Sequence, residues 1–431
     1  MTVLEMTIAE LGGRGDGIAN HNGEKVFVPF TVPGDRVRVT IEKATSDGLR
    51  ARVIERLADG PDRAAPPCRH FGTCGGCALQ HLTPEALATW KLDRLSHDLA
   101  RMGGPRREPI SLGTIALHTS PAGSRRRAEF TLMAKRGHLI VGFTRRGSHQ
   151  IVDLEQCPVL RPELAALPEL IRHHLVGLLP VNTTLECFAT LLDGGIDLLL
   201  TGPLDLTLDR RERLATFAET LDLARLSWRA RATQPPEPIA YRRPLRFHFG
   251  SILVAPPPGG FLQATAEGEA ALIATVVEWL AGVSGPVLDL YAGCGTFTFP
   301  MAERFSVHAV EGDGTAVTAL KAAARSVVGV SAERRDLERE PLNQTELNRF
   351  GAVIFNPPRA GAGIQSLAIS ASAVPVVVAV SCNPATFVRD AQTLIGGDYR
   401  LEKVVAVDQF LWSPHLELVA LFRKGNKFNP K

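Results

Sequence analysis

Hydrophobic residues in the last part of the chain fall in short runs that are typical of buried strands in a parallel sheet. Five runs follow one another at Val287–Leu290, Val307–Val310, Val327–Ala332, Ala352–Phe355 and Val376–Val380. Two more, Glu402–Val407 and Leu416–Phe422, are close enough in sequence to pair antiparallel. The pattern predicts a Rossmann-like α/β domain over residues 241–431, with a seven-stranded sheet.

The first 58 residues alternate between apolar and polar positions and are rich in β-branched side chains. Their clearest strands are Lys25–Phe30 and Arg36–Glu42. We therefore predict a small β-barrel over residues 1–58, a fold that often binds oligonucleotides. The glycine-rich stretch Gly12–Gly17 has no helix-like pattern after it, which indicates a hairpin turn rather than a phosphate-binding loop.

Residues 59–240 are predicted to form a central α+β domain between two proline-rich stretches. An amphipathic pattern over Thr83–Met102 indicates a helix. Further on, Arg125–Arg127 and Arg145–Arg146 lie on neighbouring strand-like segments. Basic side chains on adjacent strands can form a phosphate-binding face, although either cluster alone is typical of a solvated surface.

Polar residues stand at or just after the ends of the five parallel strands. They are Asp289, Glu311, Asp336, Asn356 and Cys382, in chain order. In an open parallel sheet, ligands bind outside the carboxyl ends of the strands. We therefore expect these five side chains to converge on one ligand site.

A glycine turn follows the first of these strands within Val287–Pro300. Gly293 and Gly295 allow the main chain to approach a ligand closely, and Glu311 is spaced to bind the two hydroxyls of a ribose. A dinucleotide-binding fold has the same order of strand, turn, helix and acid. The turn lacks the third glycine of the G-x-G-x-x-G pattern, however, which argues against that alternative.

Length and composition set the remaining bounds. The chain has 431 residues, 45% of them hydrophobic and 22% charged, so two or three globular domains are expected. We find no run long enough to span a membrane and no signal-peptide character, and therefore expect a cytoplasmic protein without a membrane partner. The net charge is only +3, so any nucleic-acid site must be a local patch. No protein partner is evident.

Three of the seven cysteines are close together in sequence, and a fourth could join them from further along the chain. They are Cys68, Cys74 and Cys77, with Cys157 as the distant member. Cys-x-x-Cys is a zinc half-site, but zinc sites usually pair two such halves. Three cysteines with one distant Cys-Pro are more typical of iron–sulfur ligation. The spacing favours a cluster and leaves zinc as the alternative.

Cys382 and Glu417 suit methylation at C5 of a pyrimidine. A thiolate at the ligand edge can add to C6 and turn the ring into an enolate, so that C5 becomes nucleophilic. A carboxylate can then remove the C5 proton, after which the thiol leaves. We predict Cys382 as the nucleophile and Glu417, on the last strand, as the base.

The residues that carry this chemistry also carry a family resemblance. Asp-Leu-Tyr-Ala-Gly-Cys-Gly at 289–295 resembles motif I of class I S-adenosylmethionine-dependent methyltransferases, and residues 1–58 resemble a TRAM domain. Nearly the whole chain resembles the RNA 5-methyluridine methyltransferases, especially the TRAM-containing, iron–sulfur branch acting on 23S ribosomal RNA. The matching segments are the four cysteines, Phe261-Leu-Gln263, Glu311, Asn356-Pro-Pro-Arg359, Ser381-Cys-Asn-Pro and His415-Leu-Glu417.

This resemblance implies S-adenosylmethionine and a [4Fe-4S] cluster as cofactors and RNA as the substrate. It also implies a cofactor site formed by Gln263, Tyr291, Thr296, Glu311, Asp336 and Asn356. Transfer RNA remains an alternative to 23S ribosomal RNA. Less favoured alternatives are an adenine N-methyltransferase and a non-catalytic iron–sulfur RNA sensor.

The chain departs from the family pattern at three places. Asn356 replaces the usual aspartate, Thr296 stands where an asparagine is common, and Ala264-Thr265 replaces a Val-Asn pair. These differences leave the role of Asn356 open. Asn-Pro-Pro also opens the adenine N-methyltransferase motif, but Arg359 is not the aromatic residue that would stack on a flipped adenine.

Overall fold

The structure, a computed structural model, describes residues 3–103 and 113–425, and their strands form four sheets. The first sheet has six strands in the order β1-β5-β6-β4-β3-β2. They are β1 (Val3–Thr7), β2 (Glu10–Leu11), β3 (Gly17–His21), β4 (Glu24–Val28), β5 (Arg36–Thr45) and β6 (Gly48–Ala58). Three irregularities in register bend the long β5–β6 pair, and the sheet encloses a small aliphatic core.

The glycine-rich stretch between β2 and β3 is a hairpin turn, as predicted. The amide of Gly12 donates to the carbonyl of Asp16, and that of Gly15 donates to the carbonyl of Gly12, both over 2.8 Å. Gly15 has φ of +81°, and a Cβ there would lie 2.5 Å from Leu79. Glycine is therefore required at position 15 by conformation and by contact.

The predicted amphipathic helix is α1 (Pro84–Ala100), followed by a 3₁₀ turn at Arg101–Gly103. Thr83 caps it by accepting a hydrogen bond from the amide of Ala86. The buried face consists of Leu87, Lys91, Leu95 and Leu99. A lysine therefore occupies one position of the apolar stripe.

The central sheet has seven strands in the order β10-β9-β8-β11-β12-β13-β14. All of its neighbouring strands pair antiparallel except β12 and β13. Three helices pack against it around a hydrophobic core that includes Phe130 and Phe217. The elements are β8 (Arg127–Lys135), β9 (His138–Thr144), β10 (Ile151–Asp153), α2 (Pro162–Ala165), α3 (Leu167–Leu175), β11 (Thr184–Leu192), β12 (Gly195–Thr201), α4 (Leu208–Thr220), β13 (Arg225–Arg229) and β14 (Glu237–Tyr241), with β7 (Ala116–Thr119) preceding them.

The last sheet is open and mostly parallel, and it has the order β19-β18-β17-β20-β21-β23-β22-β7. Its strands are β17 (Val287–Leu290), β18 (Val307–Glu311), β19 (Val330–Arg334), β20 (Ala352–Phe355), β21 (Val376–Ser381), β22 (Tyr399–Asp408) and β23 (Glu417–Lys424), together with β7. As predicted, β22 and β23 pair antiparallel. A two-stranded hairpin, β15 (Phe247–Phe249) and β16 (Ile252–Val254), precedes the sheet.

Helices cover both faces of this sheet. They are α5 (Ala266–Leu280), α6 (Thr298–Ala302), α7 (Gly314–Ala324), α8 (Gln344–Leu347), α9 (Gly363–Ala371) and α10 (Pro384–Gly396). Successive residues of β20 enter different cores, Val353 and Phe355 on one side and Ala352 and Ile354 on the other. Burial on both faces explains why the parallel strands are continuous apolar runs.

Two sequence predictions about this sheet need correction. The sheet has eight strands rather than seven, because β7 from the preceding segment adds parallel to β22 at the edge. The third strand begins at Val330 instead of Val327, since Gly329 turns the chain with φ of +83°. Together with α1, which packs against α10, β7 ties part of residues 59–240 to the last sheet.

Candidate active site

The glycine turn after β17 is closed by the carboxylate at the end of β18. Oε2 of Glu311 accepts a hydrogen bond from the amide of Gly293 over 2.9 Å, and Oε1 accepts one from the amide of Asp313 over 2.7 Å. Gly295 has φ of +106°, and a Cβ there would lie 2.4 Å from the ring of Phe299. The turn and Glu311 are thus held as one unit at the carboxyl edge.

Asp289 is fully buried in β17, directly before this turn. Burial raises its pKa to about 7, against a lowering effect of a hydrogen bond from Thr298. The Thr298 hydroxyl donates to Oδ2 over 2.5 Å, whereas Oδ1 has no hydrogen-bond partner among the described residues. A buried oxygen without a partner is costly, so a ligand that donates a hydrogen bond would be favoured here.

Tyr291 follows in the left-handed region, with φ of +60°. Its hydroxyl is buried and, within residues 3–103 and 113–425, has no hydrogen-bond partner. Burial is the main cause that raises its pKa, and the nearby carboxylates Glu338, Asp390, Asp336 and Glu311 add to it. Such strained residues with unsatisfied polar groups are typical of ligand sites.

The other predicted residues of this edge differ in exposure. Asn356 is half-buried, and its amide donates to the carbonyl of Leu290 over 3.3 Å, which joins the ends of β20 and β17. Asp336 is exposed after β19 and accepts a hydrogen bond from the amide of Glu338 over 3.1 Å. Thr296 is buried in the glycine turn. The acidic groups around the turn make the site suited to a cationic ligand.

Gln263 is 1% exposed and lies in the segment that leads into α5. Its Oε1 accepts a hydrogen bond from Nε2 of Gln409 over 2.7 Å, whereas its own Nε2 is buried and has no partner in the described part of the chain. Thr265, one of the departures from the family pattern, caps α5 by accepting from the amide of Gly268 over 3.0 Å.

Cys382 lies in the turn between β21 and α10, opposite Glu417. Ser381, the last residue of β21, pairs with Leu418 in the antiparallel β21–β23 ladder. Cys382 follows Ser381 and Glu417 precedes Leu418, so the two residues lie next to the same end of the ladder. The charges of Glu417 and Arg359 both act on the thiol of Cys382. Burial raises the pKa of Cys382, Glu417 raises it further, and Arg359 lowers it.

Glu417 is fully enclosed at the start of β23. Burial raises its pKa to about 7, while a hydrogen bond from the Gln409 side chain lowers it. Oε2 of Glu417 is buried without a hydrogen-bond partner among the residues that the structure describes. A carboxyl group in this state can accept or release a proton near neutral pH.

Arg359 connects the cysteine turn with the start of β23. Its carbonyl accepts hydrogen bonds from the side chains of Asn383 over 3.0 Å and Thr386 over 3.2 Å. Its guanidinium lies 3.3 Å from Nδ1 of His415. Burial is the first cause that lowers the pKa of His415, and Arg359 is the second. The histidine is therefore held in its neutral form.

The four predicted cysteines line one cavity of about 460 Å³ between the Cys68–Cys77 loop and the central sheet. Burial raises the pKa of Cys77 to about 12, and the charges of Cys157, Cys74 and Cys68 contribute, which shows that all four lie close together. Among the described residues, however, no three His, Cys, Asp or Glu side chains are arranged to hold a single metal ion.

Comparison with known proteins identifies the family to which the chain belongs. The family described as tRNA (Uracil-5-)-methyltransferase matches residues 255–425, and the TRAM domain family matches residues 2–54. A 23S rRNA (uracil(1939)-C(5))-methyltransferase, RlmD of Halomonas elongata, is 34% identical over 97% of this chain and 89% of the relative. The chain belongs to the S-adenosylmethionine-dependent RNA uracil-C5 methyltransferases.

Two further comparisons extend over almost the full length of the methyltransferase. An uncharacterized RNA methyltransferase of Brucella suis is 41% identical and covers 98% of each chain. The crystal structure of Pyrococcus abyssi tRNA (uracil-54, C5)-methyltransferase in complex with S-adenosyl-L-homocysteine has a TM-score of 0.74. It is 22% identical, covers 97% of this chain and 99% of the other, and thus shows that the fold is shared.

The predicted arginine face of the methyltransferase is only partly on the surface. Arg126 is buried, and its guanidinium forms an ion pair with Glu269 of α5 over 2.8 Å. Arg127 lies over the ring of Phe261 at 4.7 Å and donates to the carbonyl of Leu262. Arg145 is exposed. The interpretation of the first cluster as a surface for phosphates is therefore wrong for Arg126, which joins the segment before β8 to helix α5.

Two features of the methyltransferase site were missed from the sequence. Gln409 connects the loop after β22 with Gln263, and Lys91 forms a buried ion pair with Asp408 beside the His415 carbonyl. Neither residue belongs to a motif, and the partners are far away in sequence. The position of Gln409, two residues after the apolar run of β22, was the only available signal.

No helix in residues 3–103 or 113–425 has both the length and the apolar character needed to cross a membrane.

Proposed function

We propose that this methyltransferase methylates C5 of a uridine in RNA through a covalent bond between Cys382 and C6 of the base. The observation that supports the proposal is the pairing of Ser381 with Leu418, which brings the neighbouring residues Cys382 and Glu417 to the same end of the β21–β23 ladder. An adenine N-methyltransferase or a non-catalytic RNA-binding protein would need neither group at this position.

The chain's residues would act in sequence on the uracil ring. The thiolate of Cys382 adds to C6, and the electrons of the C5–C6 double bond move towards O4, which makes C5 nucleophilic. S-adenosylmethionine, when bound, would supply the electrophilic methyl group that C5 takes up, and the breaking of its S–CH3 bond would leave S-adenosylhomocysteine. The carboxylate of Glu417 then removes the C5 proton, the C5–C6 double bond forms again, and Cys382 leaves as the thiolate.

The surroundings of both groups support these roles. The thiolate of Cys382 would be favoured by Arg359 and by the N-terminus of α10, which starts two residues later. Glu417, with a pKa of about 7, is a strong enough base for the C5 proton and is ionised to a useful extent at neutral pH.

The cofactor would lie at the carboxyl edge of β17 to β20. The residues that we assign to it are Gln263, Tyr291, Thr296, Glu311, Asp336 and Asn356. The surplus of carboxylates there suits the positive charges of S-adenosylmethionine. The free donor of Gln263 and the free hydroxyl of Tyr291 suit its polar groups. Asn356 would contribute hydrogen bonds without adding charge.

The four cysteines Cys68, Cys74, Cys77 and Cys157 fit a [4Fe-4S] cluster. All four thiols line one cavity, and each cysteine would bind a different iron, so they need not surround a single ion. The shift of the Cys77 pKa to about 12 describes the thiols without metal, which would deprotonate them on binding. The bound cluster would tie the Cys68–Cys77 loop to the chain after β10.

RNA recognition would involve the β-barrel of residues 1–58, and 23S ribosomal RNA is the substrate that we favour. The support is the Halomonas elongata relative, which is 34% identical and named for 23S rRNA, whereas the neighbour named for transfer RNA is 22% identical. A ribosomal RNA substrate would place the enzyme in the cytoplasm.

The test is methyl transfer from radiolabelled S-adenosylmethionine to RNA transcripts. We expect 5-methyluridine in 23S ribosomal RNA and none in transfer RNA. Label found only in transfer RNA would show that transfer RNA, rather than ribosomal RNA, is the substrate. Label at an adenine nitrogen would show that the enzyme is an adenine N-methyltransferase. RNA binding without methyl transfer would favour the non-catalytic alternative.

A further inference from the structure

Two arginines from distant parts of the chain meet at the loop between β22 and β23. Nη1 of Arg94, on α1, donates a hydrogen bond to the carbonyl of Pro414 over 2.7 Å. Nη2 of Arg359, in the segment after β20, lies 3.3 Å from Nδ1 of His415. Pro414 and His415 are consecutive residues, so two positive charges border the same short stretch of main chain.

The two arginines also contact the turn that carries Cys382. The side chain of Asn383, the residue after Cys382, donates to the carbonyl of Arg359 over 3.0 Å. Arg94 lines a small cavity together with Pro384, the next residue of the turn. Both arginines are therefore held beside the candidate nucleophile by direct contacts with its neighbours.

The positive charges of Arg94 and Arg359 are not compensated by carboxylates. Neither guanidinium forms an ion pair in the part of the chain that the structure describes. Asp408, which stands at the start of the same loop, is already paired with Lys91 over 2.6 Å. Arg126, in contrast, lies 2.8 Å from Glu269. Uncompensated positive charge at an accessible position attracts an anionic ligand.

His415 adds a third hydrogen-bond donor to the two arginines. An arginine N–H group can only donate, so Nδ1 of His415 is the acceptor of the bond from Arg359. The neutral imidazole then carries its proton on Nε2, which has no hydrogen-bond partner among the residues described. His415 and Arg359 are exposed, and Arg94 is half-buried, so a ligand can reach all three side chains.

The chemistry of these three side chains fits a phosphate group. They offer donors and positive charge, and none of them has an acceptor left. The oxygens of a phosphate only accept, and the planar guanidinium group binds them through parallel hydrogen bonds. The proposed cofactor site has the opposite character, because it contains the carboxylates of Asp289 and Glu311. The backbone of RNA therefore suits the arginines better than the cofactor does.

We propose that Arg94, Arg359 and His415 form a clamp that holds a phosphodiester group next to the target uridine. The inference rests on the proposed function, in which this uridine reacts with Cys382, and it names the part of the RNA that the clamp would hold. A base that leaves its stack turns about its own backbone. Phosphate contacts fix position without reading sequence. The clamp would thus place the base at the thiol whatever the neighbouring bases are.

The first test measures the binding of a 23S ribosomal RNA transcript at several salt concentrations, without S-adenosylmethionine. Arg94→Met removes the charge and keeps an apolar side chain next to Trp90, whose ring centre lies 5.7 Å from the guanidinium. One lost contact to a single-stranded phosphate should lower the slope of log Kd against log salt by about 0.7 and raise the Kd about tenfold at low salt. Arg359→Met should lower the slope equally, whereas Arg94→Lys keeps a positive charge and should retain most of it.

Arg213→Met is the matched control for the binding test. Arg213 is an exposed arginine on α4 and, like Arg94, it donates to main-chain carbonyls, those of Val176 over 3.2 Å and Gly177 over 3.3 Å. Its partners follow α3 and belong to no part of the candidate active site. This variant should keep the slope of the unchanged enzyme.

The affinity for the cofactor checks which ligand the clamp serves. The Kd for S-adenosylmethionine should be the same in the unchanged enzyme, in Arg94→Met and in Arg213→Met. A Kd that rises in Arg94→Met, together with an unchanged salt slope for RNA, would assign the arginine to the cofactor and overturn the inference.

A second test locates the phosphate relative to the target. RNA with 5-fluorouridine at the uridine that the methyl-transfer assay identifies traps the Cys382 adduct there, because fluorine cannot be removed as a proton. A methylphosphonate replaces one phosphate beside this nucleotide with a neutral group. At low RNA concentration it should slow adduct formation about tenfold in the unchanged enzyme, and much less in Arg94→Met, where the contact is already lost.

The two tests separate the clamp from the proposed function. If the unchanged enzyme forms no adduct, the covalent mechanism fails, and the salt slopes still decide whether Arg94 contacts a phosphate. If it forms the adduct, and Arg94→Met and Arg359→Met have the parental slope, only the clamp fails. A lowered slope with an equal methylphosphonate effect in both enzymes would place the contact elsewhere on the RNA and would also overturn the inference.

Discussion

The ammonium group of Lys91 lies 2.6 Å from Oδ2 of Asp408, and the two side chains are 1% and 2% exposed. Lys91 also donates to the carbonyls of Phe410 over 3.2 Å and His415 over 3.3 Å. One lysine of α1 therefore holds both ends of the loop between β22 and β23. This loop carries Gln409 and leads directly into Glu417.

Lys91→Met should destabilise the protein strongly. Removing one partner of a buried ion pair leaves an uncompensated charge, which typically costs about 3–5 kcal/mol. Chemical denaturation monitored by circular dichroism measures the loss. Lys321→Met, on the exposed face of α7, is the control and should change stability by less than about 0.5 kcal/mol.

The ion pair between Lys91 and Asp408 could not be predicted from the sequence. The buried stripe of α1 was recognised from its three leucines, but its remaining position is Lys91. A search for apolar periodicity treats a lysine as exposed, so it did not predict this position to be buried. Its partner Asp408 is 317 residues away in sequence. A pairing over that distance depends on the packing of α1 against the last sheet, which local patterns do not determine.

The parallel strands were predictable for a physical reason. Strands covered on both faces must be apolar at every position, and this makes them visible as continuous runs. The edge strand β7 has only four residues, most of them exposed, so no such run marks it. Likewise, Arg126 resembled a surface residue because its neighbours are arginines, whereas its partner Glu269 is 143 residues away in sequence.

Topology alone predicted that the strand ends carrying Asp289, Glu311 and Cys382 lie at one edge of the sheet, because these strands are parallel. The hydrogen bonds there were not. Gln409 and the two main-chain bonds of Glu311 depend on loop conformations that no periodicity describes.

Anaerobically purified protein should contain about four irons per chain, as expected for a cluster with four cysteine ligands. Cys157→Ser should lower iron content and stability, and should weaken RNA binding more than it slows the methyl transfer itself, because the cluster ties two segments together. Iron analysis, denaturation and filter binding measure these effects. Cys187→Ala, outside the cavity, should keep its iron. Stoichiometric zinc without iron would contradict the cluster.

Arg145 and Arg126 should affect RNA binding differently. Arg145 is exposed, so Arg145→Ala should lower the slope of log Kd against log salt by about 0.7–0.9, as expected for one lost phosphate contact. Arg126→Met breaks the buried pair with Glu269 and should mainly reduce stability. Titration of RNA at several salt concentrations tests both. An unchanged slope in Arg145→Ala would mean that this arginine is only solvated.

Glu417→Gln should make the protein more stable at pH 8 while it loses activity. The folded-state pKa of Glu417 is raised from 4.5 to about 7, so between these values the folded protein holds a proton that the unfolded chain releases. Stability therefore falls as the pH rises through this window, and the full penalty is present above pH 7.

Replacing the carboxyl group with an amide removes this penalty, which is about 3 kcal/mol for a shift from 4.5 to about 7. The difference in the free energy of unfolding between the variant and the parent should shrink towards pH 5 and vanish near pH 4. Denaturation at pH 5 and pH 8 measures it. Glu219→Gln, at an exposed position of α4, should show no such dependence. If the variant and the parent were equally stable at pH 5 and at pH 8, burial would not raise the pKa of Glu417.

Cys382 and Glu417 should fail at different steps of the reaction. Cys382→Ala removes the nucleophile and should bind RNA without forming an adduct, even when the target carries 5-fluorouridine. Glu417→Gln retains the nucleophile and should methylate C5 and then stop, so that the protein remains bound to normal RNA in a denaturing gel.

The amount of covalent adduct formed by each variant distinguishes the two steps, because formation of the adduct needs Cys382 and its release needs Glu417. Cys187→Ala should react like the unchanged enzyme, since that thiol is buried in the central core. Wild-type turnover by Glu417→Gln would assign proton removal to another group, with His415 the nearest candidate. The formation of 5-methyluridine by Cys382→Ala would exclude the covalent route altogether.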